Sequence, residues 1–311
     1  MVRRDHRPRH RRRPRRPLRR RGAIARRAGA RPGASELARA EPAPIRPRDA
    51  LADRDRRSGA AVRRFAGLEA LMSAPDLTLA PPRLAYGLVT SRGKRPDNQD
   101  FAACCRDPSR RRGFVAAVAD GLGGHKGGRE AAETVVRAFL DGYFGAAPQL
   151  SPLAAASRSI EAANDWIAAI GRRDPHLAHM ATTFTALLLS EGEGRILHVG
   201  DSRAYRLSAG RLEQLTLDHV VDFGEPMLRL RRAIGFDARV RVDHVALDLT
   251  PGDRLLLCTD GLHGALPAKK IAALLAAAAS PLQAAKDLRD AALAAGGADN
   301  VTAVVIDVRA P

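Results

Sequence analysis

TTFTALLLSEGEGRILHVGDSRAYRL, residues 182–207, holds three apolar runs, TTFTALLL (182–189), RILHVG (195–200) and AYRL (204–207), joined by links as short as EGEG (191–194). Runs of this length and composition read as strands. Links this short leave no room for a crossover helix, so neighbouring strands must run antiparallel. Working outward, LAYGLVT (84–90), FVAAVAD (114–120), DRLLLCTD (253–260) and VTAVVIDV (301–308) read as further strands. EAAETVVRAFLDGYF (130–144) and SPLAAASRSIEAANDWIAAI (151–170) repeat apolar residues every three and four positions, the helical period. Ser151-Pro152 and Ser280-Pro281 look like helix starts, with Ser as N-cap and Pro at the first helical position. Gln283 adds a capping-box signal to the second. Because strand–helix alternation stops at residue 182, the expected class is α+β, with antiparallel sheets and helices grouped outside them, in one domain over 83–311.

The charge is unevenly spread. Residues 1–70 carry 23 Arg, no Lys and seven acidic side chains, so +16 of the chain's formal +18 lies there. Residues 1–82 therefore read as a basic Arg/Pro-rich tail with at most a short helix near Ala60 to Met72, closed by Pro81-Pro82. Few apolar residues and dense like charge cannot offset the ordering entropy of a fold. One reading of the tail is weak electrostatic binding to polyanions, nucleic acid or an anionic membrane. The other is a disordered extension, including upstream sequence joined by a wrong start codon. Its arginine pairs lack the apolar core of an export signal, and no run is long enough to span a membrane. Cys104, Cys105 and Cys258 make a poor disulfide framework, which suits a reducing, cytoplasmic setting.

Carboxylates mark the strand ends. Asp120 and Asp260 end apolar runs, Asp100 and Asp299 precede them, and Asp201 sits in the turn of HVGDSRAYRL. In an antiparallel arrangement, ends and beginnings of neighbouring strands share an edge, so these acids can converge. Converged carboxylates take up protons unless a cation neutralises them, and oxygen-only ligands suit Mg²⁺ or Mn²⁺ rather than zinc. The bland alternative is ordinary Asp-Gly turn chemistry at each site. In VADGLGGHKGG (118–128), one acid is followed by five glycines within eight residues. The phosphate-cradle patterns fail there, because each needs a glycine where Lys126 stands. Gly121 can bring its carbonyl close to an ion because it lacks a Cβ.

RPDNQDF (95–101), VADGLGGHKGG, MATTFTALLL (180–189), HVGDSRAYRL (198–207), LTLDH (215–219), RAIG (232–235), LTPGDRLLLCTDGL (249–262) and ADNVTAVVI (298–306), in this order, resemble the metal-dependent Ser/Thr protein phosphatases of the PPM (protein phosphatase 2C) type, bacterial members above all. The resemblance implies a sandwich of two antiparallel β-sheets flanked by helices on both outer faces. It implies Asp120 as the bridge between two ions, the Gly121 carbonyl on one, Asp260 and Asp299 on the other, and Asp100 orienting water. Arg95 would grip the substrate phosphate, and Asp201 would hold a third, weaker ion. The implied reaction is hydrolysis of phosphoserine and phosphothreonine on proteins by water activated between two Mn²⁺ or Mg²⁺ ions. With the chain ending at 311, the opposing Ser/Thr kinase is expected to be a separate protein.

Two departures stand out. Leu122 occupies the place where animal members carry a His, and His125 follows three residues on. Thirteen residues, Val220 to Arg232, replace the longer flap of bacterial members. The competing reading is a catalytically weak docking or nucleic-acid-associated protein that uses its tail. A docking pseudoenzyme is expected to lose metal ligands, and this chain keeps them.

Overall fold

The computed structural model describes residues 78–79, 84–109, 112–122, 127–190, 193–222 and 228–310. The expected tail, apart from Thr78 and Leu79, lies outside the described residues, as do the helix expected near Ala60 to Met72 and His125.

Six strands form the first sheet, in the order β1 (Thr78–Leu79), β2 (Leu84–Ser91), β14 (Val301–Val308), β13 (Arg254–Cys258), β8 (Arg203–Ser208) and β9 (Arg211–Gln214). The second runs β12 (Asp243–Leu247), β7 (Glu193–Val199), β6 (Phe184–Ser190), β4 (Phe114–Leu122) and β3 (Asp100–Arg106), with the two-residue β5 (Ala181–Thr182) beside the end of β4. A hairpin of β10 (Val220–Asp222) and β11 (Leu228–Leu230) stands apart from both. Every pairing is antiparallel, as the short links required.

Side-chain parity explains why the strands read as unbroken apolar runs. On β4, Phe114, Ala116 and Val118 meet Leu255, Leu257, Val304 and Ile306 of the facing sheet. The alternate residues, Val115, Ala117 and Ala119, pack under α1 (Gly127–Phe144) and α2 (Pro152–Arg173). On the opposite outer face, Leu256, Cys258, Val301, Ala303 and Val305 lie under α4 (Ala268–Ala277) and α5 (Pro281–Ala294), with the single turn α3 (Asp260–His263) beside them. Both faces of each sheet are thus covered, giving the four-layer sandwich. Among the described residues no helix is long and apolar enough to cross a membrane.

Three local expectations change. Thr78–Leu79 pairs with Leu84–Ala85, so the sheet begins before residue 83; a two-residue edge strand carries no alternation to read. The Ser280 hydroxyl caps α5 by accepting from the Gln283 amide at 3.2 Å, but the Gln283 side chain turns forward to Asp287 at 2.7 Å instead of closing a capping box. Asp260 does not end β13; it opens α3 behind the N-cap Thr259.

Candidate active site

Strand parity sends Asp120 and Asp100 to the same face. Both share the inward phase of Phe114, Ala116 and Val118 or of Ala102 and Cys104, and they are direct partners across β3 and β4. Both therefore point into the seam between the sheets, at its end. The first sheet brings Asp260, at the start of α3 just beyond β13, and Asp299, just before β14, to the same place. Asp201 lies on the link from β7 to β8, which passes from one sheet to the other. A cleft of about 500 Å³ opens here, lined by Arg95, Asp97, Gln99, Asp120, Gly121, Leu122, Asp260, Asp299 and Asn300.

The carboxylates perturb one another. Burial, then the neighbouring Asp260 and Asp299 charges, push Asp100 up to about 7, although hydrogen bonds from Thr302 and Thr259 pull the other way. Asp120 opens to the cleft at its edge but is enclosed elsewhere. Burial, together with Asp100, Asp260 and Asp201, drives its carboxyl far above the ordinary range. Asp260 is raised by burial first and then by the Asp299 charge. Asp201 rises to about 6, through burial first and then the Asp260 charge.

Hydroxyl groups fix these acids in place. Thr259 and Thr302 both donate to Asp100 Oδ2, at 2.8 and 2.7 Å, while Asp100 Oδ1 is buried with no partner. Asn98 donates to Thr90 at 2.8 Å, and Thr90 lies 2.8 Å from Thr302, so a chain of polar groups runs from the cleft loop to Asp100. Thr183 Oγ1 accepts the Asp120 amide at 2.8 Å and meets Ser202 Oγ at 2.8 Å; Thr182 Oγ1 and the Thr183 amide bind the Asp120 carbonyl. His263 Nε2 lies 2.9 Å from the Asp201 carbonyl. The threonines read simply as strand residues in sequence. The available signal was their position, at the same strand ends as the acids.

Arg95 reaches over the cleft mouth, more than half exposed, and pairs with Asp299 at 2.7 Å. Asn300 anchors its loop, accepting from the Gln99 amide and donating to the Arg92 and Asp97 carbonyls at 2.8–2.9 Å. Gly121 has a packing reason besides any carbonyl contact: a Cβ there would run into the Gly128 carbonyl and the Gln99 oxygen. All five acids expected in the site, with Arg95 and Gly121, are thus brought to one seam end.

The set fits a divalent hard cation. Every side-chain donor is oxygen, one buried carboxylate oxygen lacks any partner, and burial and mutual repulsion raise the crowded acids, a strain that a cation would relieve. Among the described residues no three His, Cys, Asp or Glu side chains stand ready as a cage. Asp299 faces Arg95 instead.

Comparison with known proteins agrees. The family description "Protein phosphatase 2C" matches residues 91–295. The serine/threonine protein phosphatase PstP of Mycobacterium tuberculosis is 36% identical over 214 residues, which are 62% of this chain and 40% of that protein. This chain thus spans about two-fifths of that relative's length. A serine/threonine phosphatase of Listeria welshimeri is 30% identical over 62% of this chain and 84% of its own length. Among solved structures, the mycobacterial PstP phosphatase superposes with a TM-score of 0.65 at 30% identity, over 73% of this chain and 99% of that one. The catalytic domain of PstP in complex with two manganese ions gives 0.63 at 32% identity, over 73% and 99%.

Proposed function

The chain belongs to the protein phosphatase 2C family, and from that membership we propose that it hydrolyses phosphoserine and phosphothreonine on proteins, with two Mn²⁺ or Mg²⁺ ions, in opposition to a Ser/Thr kinase. The observation that carries the reading is the gathering of Asp100, Asp120, Asp260 and Asp299 from both sheets into one oxygen-only set, with Asp100 Oδ1 buried and without a partner.

Asp120, the Gly121 carbonyl, Asp260 and Asp299 would hold the two ions, and Asp201 a third. Bound there, Mn²⁺ or Mg²⁺ supplies Lewis-acid chemistry, offsetting phosphoryl charge and activating water for attack on phosphorus. The residues of the chain do the rest. Arg95 presents a planar fork suited to a phosphate at the cleft mouth. Its bond to Asp299 leaves lone pairs on both carboxylate oxygens, so Asp299 can serve Arg95 and an ion together. Asp100, anchored through Oδ2, keeps Oδ1 for a water in the seam. Leu122 lines the cleft and offers no proton to a leaving alkoxide. No cysteine serves as nucleophile: Cys104, Cys105 and Cys258 are buried, and burial raises each thiol, Cys105 to about 11.

The test is phosphate release from p-nitrophenyl phosphate and a phosphothreonine peptide, with Mn²⁺ and with EDTA, for wild type and Asp120→Asn. Turnover that needs the metal and falls at least about a thousandfold in the variant is expected. EDTA-resistant turnover, or more than a tenth of it surviving in the variant, overturns the reading.

A further inference from the structure

His219, in LTLDH, and Arg232, in RAIG, take no part in the chemistry above, yet they flank one hairpin. His219 directly precedes β10, and Arg232 follows β11 by two residues. His219 is buried and grips Gly200 twice: its amide donates to the Gly200 carbonyl at 2.8 Å, and its ring Nδ1 accepts the Gly200 amide at 3.1 Å. With Nδ1 as acceptor, the ring proton sits on Nε2, which donates to Asp243 Oδ2 at 3.0 Å. Arg232 Nη1 donates to the other oxygen of that carboxylate at 2.9 Å. The Arg231 amide closes the arrangement on the His219 carbonyl at 2.7 Å.

One carboxylate therefore receives both roots of the hairpin. Asp243 itself is fixed on β12, opposite His198 of β7, whose ring lies 4.8 Å from that of His219 and whose Nε2 is 3.0 Å from the Leu217 carbonyl. Burial pushes the Asp243 carboxyl up, but His219 and Arg232 outweigh it and hold the group below its ordinary range. At the other end of the chain of bonds stands Gly200, at φ 113, beside Asp201. A Cβ at Gly200 would run into Thr183, the residue that holds the Asp120 amide.

We propose that Asp243 is a positioning residue: through His219 and Arg232 it holds both roots of the β10–β11 hairpin against the Gly200–Asp201 turn, so that the hairpin and the acid site keep one relative placement. An isolated exposed ion pair would have little effect; here one acceptor serves two donors from opposite ends of one element. The consequence for catalysis rests on the phosphatase reading. Protein substrates, which must meet the surface around the cleft, should feel the loss of the clamp, and a small phosphate ester should not.

The experiment compares Asp243→Asn, Arg232→Ala and Arg232→Lys with wild type in the full chain. The first readout is native trypsin cleavage after Arg229 and Arg231, both exposed on the hairpin, identified by mass spectrometry. The second is KM and kcat on a phosphothreonine protein and on p-nitrophenyl phosphate. Cleavage should quicken about tenfold in Asp243→Asn and Arg232→Ala, the effect of losing roughly one charge-assisted hydrogen bond. The KM for the protein substrate should rise by a similar factor, kcat on the small ester should stay within about twofold, and Arg232→Lys should largely restore both. Unchanged cleavage in both variants overturns the proposal, and so does Lys performing no better than Ala at position 232. If Asp243→Asn fails to fold, the Lys and Ala pair decides. A wild-type protein without any turnover overturns the phosphatase reading, and cleavage alone then decides the clamp.

Discussion

Asp100→Asn should change how stability depends on pH, by an amount that follows from the buried seam. The two Thr hydroxyls that reach Asp100 Oδ2 can be kept by an amide oxygen, which has two lone pairs, and the amide nitrogen takes the place of the unpartnered Oδ1. The substitution thus removes charge with little change of shape. In the native protein, burial and the Asp260 and Asp299 charges raise this carboxyl from 3.8 to about 7. A group raised on folding contributes stability that is complete below its unfolded value and is lost as pH climbs past the folded one. At about 1.4 kcal/mol per pH unit, its protonation stabilises the wild type by about 3 kcal/mol at pH 5 relative to pH 8, and the amide contributes nothing of the kind. His198 and His263, both held neutral by burial and lowered to about 4, act with the opposite sign. Each costs about 2 kcal/mol by pH 5, so neither curve alone is diagnostic. Both proteins share these histidines, so the difference between them cancels their contribution and reports loss of the Asp100 charge, including its push on Asp120. Urea titrations in EDTA at pH 8, 6.5 and 5 should show the variant more stable at pH 8 and the balance moving by about 3 kcal/mol toward wild type at pH 5. A difference constant within about 0.5 kcal/mol, or a move in the variant's favour, refutes the buried, raised carboxyl.

Arg95→Ala should raise the KM for phosphorylated substrates about tenfold with a smaller fall in kcat, and Arg95→Lys should recover only part, since the ammonium lacks the fork; steady-state kinetics showing a loss confined to kcat would assign Arg95 to the transition state alone. Thr183→Val leaves the Asp120 amide without an acceptor in a wholly buried position, which should cost about 1–3 kcal/mol in a denaturant titration and lower turnover as well; a fully active, equally stable variant contradicts the anchoring role. A chain beginning at Ala74 retains β1 and every site residue, so its turnover of a small ester should match that of the full chain. DNA binding that falls steeply with salt should belong to the full chain only, and equal binding by both proteins would move the polyanion site out of the tail.

Long, two-sided elements were the legible ones. β4, β13 and β14 announce themselves because sheet and helix cover opposite faces and both parities must be apolar. The acids were legible because antiparallel topology forces strand ends to a common edge. β12 and the β10–β11 hairpin were not. Asp243–Leu247 is a sheet-edge strand of alternating exposure that begins in an Arg-rich stretch, and three-residue strands present no period at all. The hydroxyl anchors were invisible for another reason. Thr183, Thr259 and Thr302 serve partners 63, 159 and 202 positions away, separations that local pattern does not encode. The forward turn of Gln283 toward Asp287 is of the same kind, a choice between two targets that the capping pattern leaves open.

The site's place in the fold links its chemistry to the stability of the whole sandwich. Asp100 and Asp120 come from one sheet, Asp260 and Asp299 from the other, and Asp201 from the link between them. Asp100 and Asp120 repel within one sheet, but the Asp260 charge that raises both, and the Asp299 charge that raises Asp100, act across the seam, so part of the repulsion opposes the docking of the two sheets and not merely the shape of a loop. Countering them is the buried seam core around Phe114, Leu187, Leu255, Leu257, Val304 and Ile306. A ligand that binds only the docked sheets stabilises the entire domain by RT ln(1 + [L]/Kd), about 2.7 kcal/mol at a hundredfold excess over Kd. Divalent ions should therefore raise the midpoint of global unfolding, with far-UV and near-UV circular dichroism moving together, because the acids belong to both layers. A local rearrangement at the cleft, with an unchanged global midpoint in saturating Mn²⁺, would show instead that the seam end opens independently of the sandwich it caps.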